Sequence, residues 1–397
     1  MKTIHAFGIT GMFLCLLNIS CSKMNDLHEV YLQQGERVYL GQPDSIAFCP
    51  GLNRIEIKCW TSDPKAGKMK IYWNNGADSI MGDISSSATD EGTIFQIEDI
   101  EAKVHLFKLM VYDKNWKNSS IPLDTLAEVY GDSYLKKLFP RRIKYAQYLT
   151  PNSVYVKLDR PTQKSVASVI TYTDLSGNRV KKTVLSDANS TVLEHFKGDL
   201  NYYTAYLPLD NALDTLNSVP EHFTEFDVMM DKNLFARWSP PDIPSPTEYG
   251  GYPIEKMWDN IYDSEPYYLA NGVEFTFDLG QTKKINRITQ WQGWNPAVFY
   301  ADQQVKSFAL LGSATPDVGA DLSGWTFLGS FQCTKPSGNP PYENSPEDIA
   351  HVRKGEEFKV LSDVPVRYIR YRVLELWKGT DGWFNIGELN FYTTDLN

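Results

Sequence analysis

The C-terminal residues 366–392 limit the fold most. Two runs, Val366-Arg367-Tyr368-Ile369-Arg370-Tyr371-Arg372-Val373 and Gly387-Glu388-Leu389-Asn390-Phe391-Tyr392, alternate between residues suited to a buried face and residues suited to an outer one. That period of two belongs to half-covered strands, so this end of the chain is read as a strand, a loop and a final strand. The loop places Trp377, Trp383 and Phe384 beside Gly379 and Gly382, so large rings sit on flexible backbone. Such a loop is either a recognition loop or an aromatic plug on the mouth of a barrel.

The same period recurs upstream between turn signals. Asp44-Ser45-Ile46-Ala47-Phe48 runs into Pro50-Gly51, and Arg54-Ile55-Glu56-Ile57-Lys58-Cys59-Trp60 then alternates, with Ile55, Ile57 and Cys59 inward. Met69-Lys70-Ile71-Tyr72-Trp73 is followed by the turn Asn74-Asn75-Gly76, and a later strand covers 105–112. Residues 38–128 are therefore expected to form a sandwich similar to fibronectin type III or immunoglobulin-like domains. Residues 129–226 are read as a second sandwich, with strands at 153–158 and 166–172, and a hairpin turning at Leu175-Ser176-Gly177-Asn178 into 180–185. Residues 227–246 read as a stiff linker, because four prolines fall within Ser239-Pro240-Pro241-Asp242-Ile243-Pro244-Ser245-Pro246. Residues 247–397 form the last domain, and the fold class is all-β throughout.

Composition narrows the function. The chain has 397 residues, a net charge of −10 and a pI near 5.2, with no basic cluster, which argues against nucleic acid as a partner. After the first twenty residues no run of eighteen apolar residues suggests a spanning helix. Residues 1–20 open with Lys2, continue through an apolar block and end in Asn18-Ile19-Ser20 before Cys21, the pattern of a signal peptide with a lipoprotein box. Cys21 is the expected lipidation site, residues 21–37 the tether, and the outer membrane the expected location, with the lipid as the membrane contact. Of the remaining cysteines, Cys49 and Cys59 either pair or stay reduced in the core.

The final strands, with Gly387-Glu388-Leu389 and the upstream Val273-Glu274-Phe275-Thr276-Phe277-Asp278-Leu279-Gly280, resemble the discoidin or coagulation factor 5/8 type C family. That resemblance implies a galactose-binding-like jelly roll. Lys256-Met257-Trp258-Asp259-Asn260-Ile261-Tyr262-Asp263-Ser264 looks like the family loop that holds a structural calcium together with a glutamate of the last strand, which implies Asp259, Ser264 and Glu388 as ligands. Arg54-Ile55-Glu56-Ile57, Tyr72-Trp73-Asn74-Asn75-Gly76 and Gly131-Asp132-Ser133-Tyr134 resemble a module of Bacteroidetes outer-membrane lipoproteins. This implies surface display, glycan utilisation and a neighbouring outer-membrane transporter complex.

A sugar presents apolar C–H faces and a rim of hydroxyls, so its site needs flat rings and orienting polar groups. Trp294 and Trp383 are the expected stacking platforms, Asn295 and Asp381 the orienting groups, and Trp291 and Trp377 further rings, with Tyr262, Tyr267 and Tyr268 supplied by the first loop. A non-catalytic glycan-binding role is expected, because no nucleophile elbow, metal-binding histidine pair or phosphate loop stands out. The alternative is an adhesion or scaffold subunit whose loop aromatics grip a protein.

Overall fold

The structure is a computed structural model that describes residues 39–86, 91–243, 245–263, 265–293, 295–378 and 382–395. The expected signal peptide, Cys21 and the tether lie outside the described residues. The regular structure of the described chain is mostly strand, and the chain divides into two compact units. Among the described residues no helix is long and apolar enough to cross a membrane.

The first unit takes residues up to Phe139, with 164–166 and 204–219. Its core lies between a three-stranded sheet, Ser45–Gly51, Arg54–Trp60 and Thr93–Ile97, and a four-stranded sheet containing Lys68–Trp73 and Val104–Tyr112. The alternation in Arg54–Trp60 is realised as read: Ile55, Ile57 and Cys59 are buried with Met69, Ile71, Phe107 and Leu109. Cys49 pairs in register with Glu56, whereas Cys59 faces Ile46, so the two thiols are not opposite one another. Both are free and buried, and burial pushes the Cys59 thiol up to about 12, the behaviour of a small core residue.

The second unit holds residues 140–163, 167–203 and 220–397, that is, most of the range read as the second sandwich together with the C-terminal domain. Its longest sheet runs in the order Ser190–Glu194, Ser153–Leu158, Ile143–Thr150, Phe226–Met229, Glu388–Thr393, Arg287–Trp291 and Glu356–Lys359. Phe226–Met229 pairs in parallel with Ile143–Thr150 and antiparallel with Glu388–Thr393. One continuous sheet therefore serves both the sandwich and the C-terminal domain.

That strand corrects the linker expected over 227–246. Phe226–Met229 is a central strand, Ala236–Arg237 pairs with Glu274–Lys283, and Ile243 is buried with Leu311, Val318 and Trp325. Just before the proline-rich stretch, Trp238 packs 4.5 Å from the Tyr368 ring. Apolar side chains spaced between the prolines tie the segment to the domain it leads into.

The C-terminal core fills the space between the long sheet and a five-stranded one, ordered Ala236–Arg237, Glu274–Lys283, Val366–Leu376, Val305–Ser313 and Thr326–Gln332. A column of rings runs through it, with Phe308 stacked on Tyr371 at 4.7 Å, Tyr371 on Phe275 at 4.8 Å and Phe275 on Phe384 at 5.6 Å. Each buried ring contributes about 1.5–3 kcal/mol by leaving water. The half-covered pattern read for 366–373 is only partly realised. Arg370 is 2% exposed because Glu274 takes its guanidinium in a two-pronged pair at 2.9 and 3.0 Å.

Candidate functional site

A small three-stranded sheet forms one rim of the C-terminal domain: Thr247–Glu248, Tyr268–Asn271 and Trp383–Ile386. Period two sorts its side chains. Phe384 and Ile386 enter the core at 0% exposure, so Trp383 and Asn385 point to the other face. Trp383 stands opposite Asn271 and meets Tyr249 edge to face at 6.0 Å. Tyr249 meets Tyr252 at 5.6 Å, and Tyr252 meets Tyr267 at 5.2 Å, so four rings form a row. Tyr249 is 54% exposed, and the other three are half-buried.

Polar groups flank this row. The Tyr252 hydroxyl donates to Glu265 at 3.1 Å, and that carboxylate raises the Tyr252 hydroxyl above its ordinary range. Burial pushes Tyr267 up to about 12, so both phenols stay protonated donors at neutral pH. Asn385 accepts from the Gly293 amide at 3.2 Å, while Gln304 donates to the Gly293 carbonyl at 3.1 Å. A Cβ on Gly293 would lie 2.8 Å from both Asn385 and the Tyr267 ring, so only glycine lets the loop approach this closely. The backbone leading to Trp294 is thus pinned beside Tyr267.

Trp294, Asp381 and Ser264 lie outside the described residues. Asn295 is spent locally: its side-chain oxygen caps a short turn, accepting from Ala297 N at 3.2 Å. The remaining expected rings do not join Trp383. Trp291 meets Tyr262 at 4.7 Å and donates its indole N–H to the Arg353 carbonyl at 3.3 Å. Trp377 packs edge-on against Tyr300 at 5.1 Å, and its buried indole N–H meets no acceptor among the described residues. Both rings anchor loops. Tyr268, 1% exposed, belongs to the core. Tyr249 and Tyr252, absent from the sequence-based site, lie in the segment beside Gly250-Gly251, a turn whose aromatic flanks were the available signal.

Two of the three expected calcium ligands, Glu388 and Asp259, have other partners, while Glu388 Oε2 is buried and meets no hydrogen-bond partner among the described residues. Glu388 is 0% exposed and forms an ion pair with Lys232, itself 3% exposed on the side chain. Its Oε1 also accepts from Asn260 N at 3.1 Å, and Asn260 adopts a left-handed φ of 65°, the conformation that glycine takes easily and asparagine tolerates. Asp259 pairs with Lys256 at 2.9 Å and accepts from Ile261 N at 3.0 Å. Burial raises the Glu388 carboxyl to about 7 while Lys232 pulls it back down, and burial lowers the Lys232 ammonium. A divalent cation at Glu388 would stand against that ammonium. Ser264, the third expected ligand, lies outside the described residues, and among the described residues no three His, Cys, Asp or Glu side chains are grouped for a metal.

Two family models match the chain in tandem. Residues 21–216 match DUF4998, a domain of unknown function, and residues 253–393 match DUF5000, another domain of unknown function. No curated protein matches the chain. Among solved structures, the chain is similar to a SusE-like protein, BT2857, at 19% identity and a TM-score of 0.39, over 88% of this chain and 96% of that one. It is similar to a GH31 CBM32-2 bound to GalNAc at 15% identity and a TM-score of 0.26, over 40% and 94% of the two chains. A segment of two fibronectin type III domains from chicken tenascin gives 13% identity and a TM-score of 0.20, over 46% and 98%.

Proposed function

We propose that this chain is a non-catalytic, lipid-anchored protein of the outer membrane that binds carbohydrate through the rim of its C-terminal domain, as part of a glycan-utilisation system. The anchor is Cys21, and the discoidin-like jelly roll carries the ligand. The row of Trp383, Tyr249, Tyr252 and Tyr267 carries this reading. Those rings offer successive faces and edges to sugar C–H surfaces, with the Tyr252 hydroxyl, Glu265 and Asn271 beside them for hydroxyl groups. Trp294 and Asp381, which border the same loops in sequence, complete the proposed site.

Calorimetric titration with a panel of glycans tests this. The Trp383→Ala and Tyr249→Ala variants are expected to bind at least about tenfold more weakly, about 1.4 kcal/mol, with an unchanged melting temperature. Binding that ignores both substitutions, or no heat with any glycan, ends the proposal for the rim.

A second reading, docking of a protein such as an outer-membrane transporter component, has its own observation. On the first unit's four-stranded sheet, Leu106 and Leu126 stand opposite each other at 49% and 66% exposure, with Met81 at 58% on the same sheet. Leu106→Asp together with Leu126→Asp would abolish such docking and leave sugar binding intact.

A further inference from the structure

In the rim strand Tyr268–Asn271, Tyr268 and Ala270 enter the core while Leu269 and Asn271 take the other face, and the same alternation puts Tyr267 on that face. Four steps of extended strand separate Tyr267 from Asn271, about 13 Å at the rise of a strand. Asn271 stands opposite Trp383, so Trp383 and Tyr267 mark the two ends of the face. Between them the chain turns through Gly250-Gly251, with Gly251 at a φ of 87° and Tyr252 N donating to the Tyr249 carbonyl at 3.0 Å. Leu269 holds that turn on both sides: its carbonyl accepts from Tyr249 N at 2.9 Å, and its N–H donates to the Tyr252 carbonyl at 3.2 Å. The ring centroids accordingly follow at 6.0, 5.6 and 5.2 Å from Trp383 through Tyr249 and Tyr252 to Tyr267. The row is drawn out along the strand and is not gathered into a cup.

A pyranose is about as wide as one aromatic ring, so a site for a single terminal sugar needs one or two rings with polar groups closed around them. Four rings in line leave most of their surface uncovered by one unit, and each further unit of a chain covers another ring. Charge narrows the ligand as well. Arg237, beside this sheet, is held by Glu248 and Glu255, whereas the exposed Glu265 accepts from the Tyr252 hydroxyl at 3.1 Å within the row. That carboxylate repels a uronate or a sulfated unit and accepts from the hydroxyl of a neutral one. We infer that the rim takes an uncharged oligosaccharide of at least three consecutive units, lying along the strand from Trp383 to Tyr267, in place of one terminal sugar. The inference rests on the carbohydrate reading of the rim and adds the length and charge of its ligand.

The test titrates the full chain calorimetrically with malto-, cello-, xylo-, manno- and N-acetylchito-oligosaccharides of one to six units, and with oligogalacturonates of the same lengths as the acidic arm. The expected result is a neutral series whose affinity rises at least tenfold between one unit and four and then levels off, with every oligogalacturonate weaker. Tyr249→Ala breaks the row at its most exposed ring, and Tyr267→Leu removes its far ring while keeping apolar bulk beside Gly293. Each is expected to weaken the tetrasaccharide at least tenfold and to flatten the dependence on length, with the melting temperature showing that the domain stays folded. Equal affinity for one unit and four, in a series that Trp383→Ala abolishes, overturns the extended row and leaves the rim as a site for a single sugar. A dependence on length that ignores both Tyr249→Ala and Tyr267→Leu overturns it too, as does tighter binding of the oligogalacturonates. No heat with any of these series also overturns it, and the wider glycan panel then shows separately whether the rim binds sugar at all.

Discussion

At the scale of single residues, the pair Lys232 and Glu388 has the largest consequences. A glutamate before Leu389 on the last strand was readable as a calcium ligand, but the lysine that meets it lies 156 positions earlier, in a segment read as linker. No local pattern announces a contact of that separation. Removing one member strands the other charge in the core, a loss of about 3–5 kcal/mol. Lys232→Met is therefore expected to lower the melting temperature of the C-terminal domain strongly, while Lys232→Met with Glu388→Leu restores much of it. Chelator added to the wild type is expected to leave the melting temperature unchanged, as differential scanning fluorimetry will show. A drop with chelator, reversed by calcium, would mean that the ammonium does not hold this site. Ile55, Ile57 and Cys59 were legible for the opposite reason: their burial follows from neighbours one and two positions away.

Among the elements, strands were easier to read than their surroundings. Ser153–Leu158 and the hairpin of Ser165–Asp174 with Arg179–Leu185 follow from alternation and a Ser-Gly-Asn turn. Strands covered on both faces were harder. Glu388–Thr393 is buried at all six positions because Leu389 and Phe391 enter the core while Lys232, Tyr262 and Arg287 cover Glu388, Asn390 and Tyr392 on the other face, so its sequence alternation does not mark an outer face. The helix Pro346–Lys354 passed unread. It carries a capping box in which Ser345 accepts from Asp348 N at 3.1 Å and Asp348 accepts from Ser345 N at 2.8 Å, a Ser-x-x-Asp signal that was available. Burial opposes the charge on Asp348, but hydrogen bonds from Ser337 and Ser345 prevail and hold it down to about 2. A carboxyl depressed in the folded state contributes stability above its ordinary pKa, near 4, and loses it as pH falls towards 2. Asp348→Asn is expected to cost about 1 kcal/mol at pH 7. It should also flatten the acid limb of stability between pH 4 and 2, measured by urea unfolding across that range.

For the whole molecule, the all-β class was legible in the sequence, but not how the sheet around Ile143–Thr150 and the C-terminal domain are joined. Four prolines suggested a spacer, whereas the junction is a strand inserted between two others and fastened by the Arg287–Asp227 pair at 2.8 Å. Residues 140–230 and the C-terminal domain are accordingly expected to melt together. Arg287→Met, which leaves Asp227 buried without its cation, is expected to cost about 3–5 kcal/mol and to destabilise both in one transition. Tryptophan fluorescence reports on the C-terminal domain, which holds most of the indoles, and far-ultraviolet circular dichroism reports on all strands. Two separate transitions in the wild type would show that the shared sheet does not couple them.

A strand bonded along both edges has a mechanical meaning as well. Tension applied to the C-terminal domain would reach Phe226–Met229 through the last strand and pass sideways into Ile143–Thr150, with hydrogen bonds on each side resisting together. A tether of free backbone would stretch and let the load swing. The seam would therefore hold the two parts of the long sheet in fixed register under load.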